Sequence, residues 1–104
     1  MVVQEYIRAD NRSPFRQWFV SLNPAARAKV AIALTRIEQG NFSNVKSMGN
    51  GVLEFRIDFG PGYRIYFGRD GERLVILLGG GTKHRQQSDI ETARRLWQEY
   101  RMRK

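Results

Sequence analysis

Cysteine is absent from the sequence, and histidine occurs once, at His84. The first absence excludes disulfides, thiolate metal centres and a thiol nucleophile. The second leaves no set of imidazoles to hold a metal ion. No apolar run approaches the ~20 residues a membrane-spanning helix needs. No signal peptide opens the chain either, so the expected compartment is the cytoplasm, with no membrane partner. Acid is scarce: 10 Asp and Glu stand against 18 Lys and Arg, for a net charge of +8. Most of the basic residues are arginines, whose planar fork suits phosphate and acidic surfaces. A small domain so charged points to nucleic acid, an acidic protein partner, or both.

What is present is enough for one domain over residues 1–104, with 41% apolar residues to build a single core. Its centre is Leu53–Lys83. Leu53, Phe55, Ile57 and Phe59 alternate with Glu54, Arg56 and Asp58, the period of a strand with one buried face. Gly60-Pro61-Gly62 breaks that pattern. Tyr63–Phe67 resumes it, with Tyr63, Ile65 and Phe67 on one side and Arg64 and Tyr66 on the other. Asp70-Gly71 is a hairpin signal, and Leu74–Leu78 is apolar on both sides, as a strand covered on both faces would be. With Gly60-Pro61-Gly62 as the whole loop, Phe59 faces Tyr63, Ile57 faces Ile65 and Phe55 faces Phe67. The outward face then pairs Asp58 with Arg64 and Arg56 with Tyr66, with Glu54 alongside. Acid, guanidinium and phenol groups meet there, either as solvated cross-strand ion pairs or as a site for chemistry.

Around this meander, Val2–Ala9 reads as a strand at or near the sheet edge. Ser13-Pro14 and Asn23-Pro24 each place an N-cap before a proline at the first helical position. Two helices follow, the second over Pro24–Gln39 with Gly40 closing it. Asn41–Gly51 is a loop, with a short extended piece possible around Val45–Met48. Gly79-Gly80-Gly81 permits close backbone approach but lacks the lysine and following helix of a phosphate loop. The polar, basic Thr82–Gln87 leads to a last helix, expected to be capped by Ser88 with Glu91 three residues on. Its apolar face is Ile90, Ala93, Leu96, Trp97 and Tyr100. The order gives an α+β fold: an antiparallel sheet of about four strands with segregated helices.

The runs LEFRI, GYRIYF and LLGGGTK, followed by SDIETARRLWQEY, resemble the RelE/ParE superfamily of small bacterial toxins. More narrowly they resemble its HigB-like branch of addiction module killer proteins. The resemblance covers nearly the whole chain and implies a type II toxin–antitoxin toxin. The implied activity is metal-independent cleavage of messenger RNA, commonly on the ribosome, with no cofactor. A 2′-hydroxyl attacks the adjacent phosphate, which requires a base, an acid and cations on the phosphorane.

The resemblance puts catalytic roles on Arg56, Arg64, Lys83 and His84. Arg64 is expected to stabilise the phosphate, and Lys83 and His84 to move protons. Glu54, Tyr66, Lys46 and Arg85 are the expected substrate-binding group, Tyr66 by stacking on or orienting a base. The implied partners are a cognate antitoxin with a helix-turn-helix DNA-binding domain, messenger RNA, the ribosome, and operator DNA through the antitoxin alone. Two alternatives stand beside this: a ParE-like gyrase inhibitor, which shares the fold but lacks the basic catalytic set, and a basic nucleic-acid-binding module without catalysis. Retention of Arg56, Arg64 and Lys83 together favours cleavage. The expected geometry is one exposed concavity lined by Glu54, Arg56, Arg64, Tyr66 and Lys83.

Overall fold

The computed structural model describes residues 1–104. Strand β1 (Val2–Glu5) is followed by helices α1 (Pro14–Ser21) and α2 (Pro24–Glu38) and strand β2 (Val45–Ser47). Then come β3 (Val52–Ile57), β4 (Tyr63–Asp70), β5 (Leu74–Thr82), a 3₁₀ turn over Lys83–Arg85, and helix α3 (Gln86–Arg103). The class is α+β, as the sequence indicates. Both proline-led helix starts form: the Ser13 hydroxyl accepts from the Arg16 amide and the Asn23 side chain from the Ala26 amide, at 3.0 and 2.9 Å. Each cap fills one of the orphan amides of a first turn, a contribution of ~1 kcal/mol.

The strands form one sheet in the order β1-β5-β4-β3-β2. It has five strands rather than about four, because Val45–Ser47 pairs with β3 along its free edge. It is also mixed rather than antiparallel, since β1 lies parallel to β5 at the opposite edge. Local alternation identifies a strand but carries no information on its neighbour, so neither feature is readable from pattern. Beyond Glu5 the predicted first strand stops early, and the Arg8 amide instead bonds the Arg12 carbonyl across a turn.

The β3–β4 register differs from expectation by two residues. Ile57 opposes Tyr63, Arg56 opposes Arg64 and Glu54 opposes Tyr66. Asp58 and Phe59 belong to a five-residue loop, closed by the Gly62 amide on the Phe59 carbonyl at 2.9 Å. A shift of two leaves every side chain on its expected face, but it removes the Asp58–Arg64 pairing and sets two guanidinium groups opposite each other. The β5 strand also runs further than Leu78. It carries the glycine triplet past a bulge at Tyr66/Phe67 and on to Thr82.

Both faces of the sheet are covered. The helical hairpin packs Phe15, Val30, Ala33 and Ile37 on Phe55, Ile65, Phe67, Val75 and Leu77. Helix α3 lays Ile90, Ala93, Leu96 and Trp97 across Val52, Tyr66, Ile76 and Leu78 on the other side. Each large apolar side chain so buried stabilises the fold by roughly 1.5–3 kcal/mol. Close approach of α3 depends on Gly68, where a Cβ would lie 2.4 Å from the Trp97 ring. Helix α3 starts earlier than the sequence indicates, and Ser88 lies inside it, so the capping box does not form. The 3₁₀ turn after Thr82 has already turned the chain, leaving Arg85 at the cap position without a side-chain hydrogen bond.

Candidate active site

Directly opposed residues of paired strands share a face. Pairing therefore aligns Lys46 with Glu54 and Tyr66 in one row, and Arg56 with Arg64 and Gly81 in the next. The first row centres on Glu54, which is fully buried. Its Oε1 accepts from Arg56 Nε at 3.0 Å. Its Oε2 accepts from the Tyr66 hydroxyl and from Gln86 Nε2, each at 3.0 Å, and faces Arg64 Nε at 3.6 Å. A buried carboxylate persists only when paired and hydrogen-bonded, and Glu54 has donors from two strands and from α3.

Arg64 is 6% exposed. Its Nε is buried without a hydrogen bond, and Nη1 lies against the backbone of Gly62, where a Cβ would sit 3.6 Å away. The terminal nitrogens bond no acceptor of the chain. Arg56 is different: its Nε is taken by Glu54, while its side chain is 46% exposed and its fork is open to solvent. The pair thus consists of one guanidinium sunk into the wall and one at the rim, with Glu54 offsetting their mutual repulsion.

The 3₁₀ turn borders this pair. Tyr63 opposes Thr82 and Arg64 opposes Gly81, so Lys83, His84 and Arg85 follow at the Arg64 end of the sheet. The turn is fixed on both sides: the Lys83 amide donates to the Gly62 carbonyl at 3.2 Å, and the Gln86 side chain donates to Glu54. The side chains of Lys83, His84 and Arg85 are exposed and make no hydrogen bond or ion pair within the chain. Lys46 is exposed on the β2 edge beside Glu54.

Two expectations change. The five residues do not line one exposed concavity. Glu54, Arg64 and Tyr66 are buried because α3 occupies the face expected to be open, leaving Arg56 and the 3₁₀ turn at the surface. Tyr66 is 1% exposed, so its ring offers no face for a base to stack on. Its hydroxyl serves Glu54, and burial, followed by the charge of Glu54, pushes its pKa up.

Two further residues enter that sequence reasoning does not assign. Gln86 joins the Glu54 network across 32 residues of chain, a contact with no local signal. Asp89 lies against Gly81 so closely that a Cβ there would be 2.0 Å from its Oδ2. Burial raises the Asp89 pKa, opposed by the charge of Arg85. Its place in the run SDIETA, in the first turn of the last helix, is the one sequence clue to it. No three His, Asp or Glu side chains come together in a set that could hold a metal ion.

Comparison with known proteins gives two matches. The profile of the family described as phage derived protein Gp49-like (DUF891) matches residues 17–98, which include every residue of this site. An uncharacterized protein of Haemophilus influenzae (strain ATCC 51907 / DSM 11121 / KW20 / Rd) is 44% identical over 86 residues, 82% of this chain and 87% of that protein.

Proposed function

Because the chain belongs to the phage-derived Gp49-like family, a toxin–antitoxin-associated family related to the RelE/ParE-like toxins, we propose that it is the toxin of such a pair and acts by cutting messenger RNA. The match is to the Gp49-like family as a whole and does not distinguish a HigB-like branch. A toxin of this family implies a cognate antitoxin. The finer reading adds a helix-turn-helix domain on that antitoxin, contact with operator DNA only through it, and ribosome-bound messenger RNA as substrate.

The observation that carries the nuclease reading is the Arg56–Arg64 pair around Glu54. Arg64 holds its terminal donors fixed and unpartnered, so a phosphate reaching them meets groups that need not reorganise, the condition under which charge stabilisation is most effective. Arg56 closes on the same phosphate from the rim. Glu54 touches no substrate and positions both guanidinium groups. Lys83 and His84 supply the base and the acid. As the bond from O2′ to phosphorus forms, one takes the 2′-hydroxyl proton. As the bond to O5′ breaks, the other gives a proton to O5′. The products are a 2′,3′-cyclic phosphate and a 5′-hydroxyl. Arg85 and Lys46 bind the flanking phosphates. The reading needs no metal, since Glu54, the buried carboxylate at the centre, already has its oxygens filled by protein donors.

Primer extension on cellular messenger RNA after induction tests this. New 5′ ends that appear with wild type and not with Arg64→Ala are expected, together with growth arrest. Arrest with intact RNA and gyrase-dependent DNA breaks would overturn the nuclease reading and favour gyrase inhibition.

A further inference from the structure

Away from the Arg56–Arg64 pair, α3 and the turn before β3 enclose a groove of about 750 Å³, with Arg94, Arg95 and Arg101 on its walls and Trp97 at its floor. It continues past Trp97 and Arg101 into a second hollow of about 550 Å³, reaching Arg69 and Lys104. The only acid along either, Asp70, is occupied by Lys104 and the Tyr100 hydroxyl, each at 2.6 Å. Arg94 is tied through Nε and Nη2 to the Met48 carbonyl, which fixes its guanidinium on the wall. Arg101 has no partner in the chain, and Arg95 has only the Thr92 hydroxyl at 3.3 Å. The Trp97 indole N–H, beside Gly51, also lacks an acceptor. The groove is therefore a concentration of unsatisfied donors and positive charge with no acid free to neutralise it.

Its position gives it meaning. Arg56, Lys46 beside Glu54, and Arg94 tied to Met48 follow one another along the β2 edge of the same sheet face. From Arg56 to Val52 is four residues of strand, roughly 13 Å at ~3.3 Å per residue. We propose that this groove is a second binding site for the phosphate backbone of single-stranded RNA, which runs from the Arg56–Arg64 pair along the β2 edge to Arg95 and Arg101. An acidic protein segment would use the same charges. The groove's apolar wall residues are two, the buried Trp97 and the exposed Met102, set among Arg94, Arg95 and Arg101. Continuity with the cation pair favours the polynucleotide. The inference rests on the nuclease reading for that continuity, and its test reads binding rather than cleavage so that the two can fail separately.

The experiment measures fluorescence anisotropy of a labelled single-stranded RNA of about 12 nucleotides. It compares wild type, Arg95→Glu/Arg101→Glu, and the charge-matched control Lys29→Glu/Arg36→Glu, whose sites lie on α2 across the sheet. Thermal melts confirm that each variant folds. The Arg95/Arg101 variant should bind at least tenfold more weakly than the control. Its plot of log affinity against log salt should be flatter by about 1.4, at ~0.7 for each single-strand phosphate that the protein no longer neutralises. Equal affinity and slope for the two variants would overturn the inference, as would loss of poly-glutamate binding with RNA binding retained. Selective loss of RNA binding, in a protein that cuts no RNA, would support this site and sink the nuclease reading.

Discussion

Arg56 and Arg64 stand directly opposite each other on neighbouring antiparallel strands, and Glu54 lies against both at 3.0 and 3.6 Å. Like charges so placed destabilise a sheet; Glu54 offsets that repulsion, and on the proposed reading the two guanidinium groups also share one phosphate. Arg64→Ala should lower single-turnover cleavage by about 10²–10³-fold, as loss of other transition-state donors does. Arg64→Lys should restore part of it, since one ammonium does not reproduce the fork. Because Arg64 is buried, the alanine variant should also lose about 1–3 kcal/mol of stability, and rates must be compared well below its melting temperature. Near wild-type cleavage by a folded Arg64→Ala protein would remove Arg64 from the mechanism.

Glu54→Gln should be the more damaging change to the fold. It leaves the buried Arg64 charge without its counter-ion and brings an amide NH₂ among donors, a loss of about 3–5 kcal/mol when one partner of a buried pair is removed. Tyr66→Phe deletes one hydrogen bond to the same carboxylate and should cost about 1.5–3 kcal/mol, the range for a bond to a charged group. Urea unfolding of both variants and of the double variant closes a cycle. If the two effects simply add, Glu54 and Tyr66 are not coupled and the network is not a unit.

The sequence displays this site's membership better than its depth. Period-two alternation puts Glu54, Arg56, Arg64 and Tyr66 on one face, and that assignment survives a register error of two because parity is unaffected. Capping chemistry locates the starts of α1 and α2 to the residue, since Ser13-Pro14 and Asn23-Pro24 act locally. What lies beyond reach is long-range. The apolar stripe of α3 is legible, but nothing local says which sheet face it covers, so Arg64 and Tyr66 are expected outside. Gln86 and Asp89 come to the site only after α3 docks. The parallel pairing of β1 with β5 likewise depends on where the chain returns, not on its own residues.

The glycine triplet separates into three different constraints. A Cβ on Gly80 would stand 2.3 Å from the Trp18 ring, and one on Gly81 2.0 Å from Asp89, while one on Gly79 meets nothing within 4 Å. Gly80→Ala should therefore destabilise by overpacking, by about 1–3 kcal/mol. Gly79→Ala should be neutral or stabilise by up to about 1 kcal/mol, because alanine narrows the unfolded ensemble. Thermal melts of the two single variants decide it. Equal melting temperatures would mean that the Trp18 contact yields without cost.

Asp89 gives the sharpest pH dependence. Burial raises its pKa above the ordinary aspartate value, with Arg85 opposing. The folded state therefore binds its proton more tightly than the unfolded chain does. Stability from this group is present at low pH and declines as pH rises through the window from the ordinary value, ~3.9, to the raised one. At neutral pH the ionised carboxylate is a burden on the fold. Asp89→Asn, which keeps the shape and removes the charge, should raise the melting temperature at pH 7, and the gain should shrink toward zero as pH falls below ~3.9. Urea midpoints of wild type and variant across that range provide the measurement. A loss of stability at pH 7 that fades on acidification would mean that the carboxylate is stabilised in the fold, by Arg85 or the α3 N-terminus, and that its burial is not the dominant influence. A gain at pH 7 together with lost cleavage would add Asp89 to the groups of the proposed reaction, as a carboxylate kept at a cost to stability.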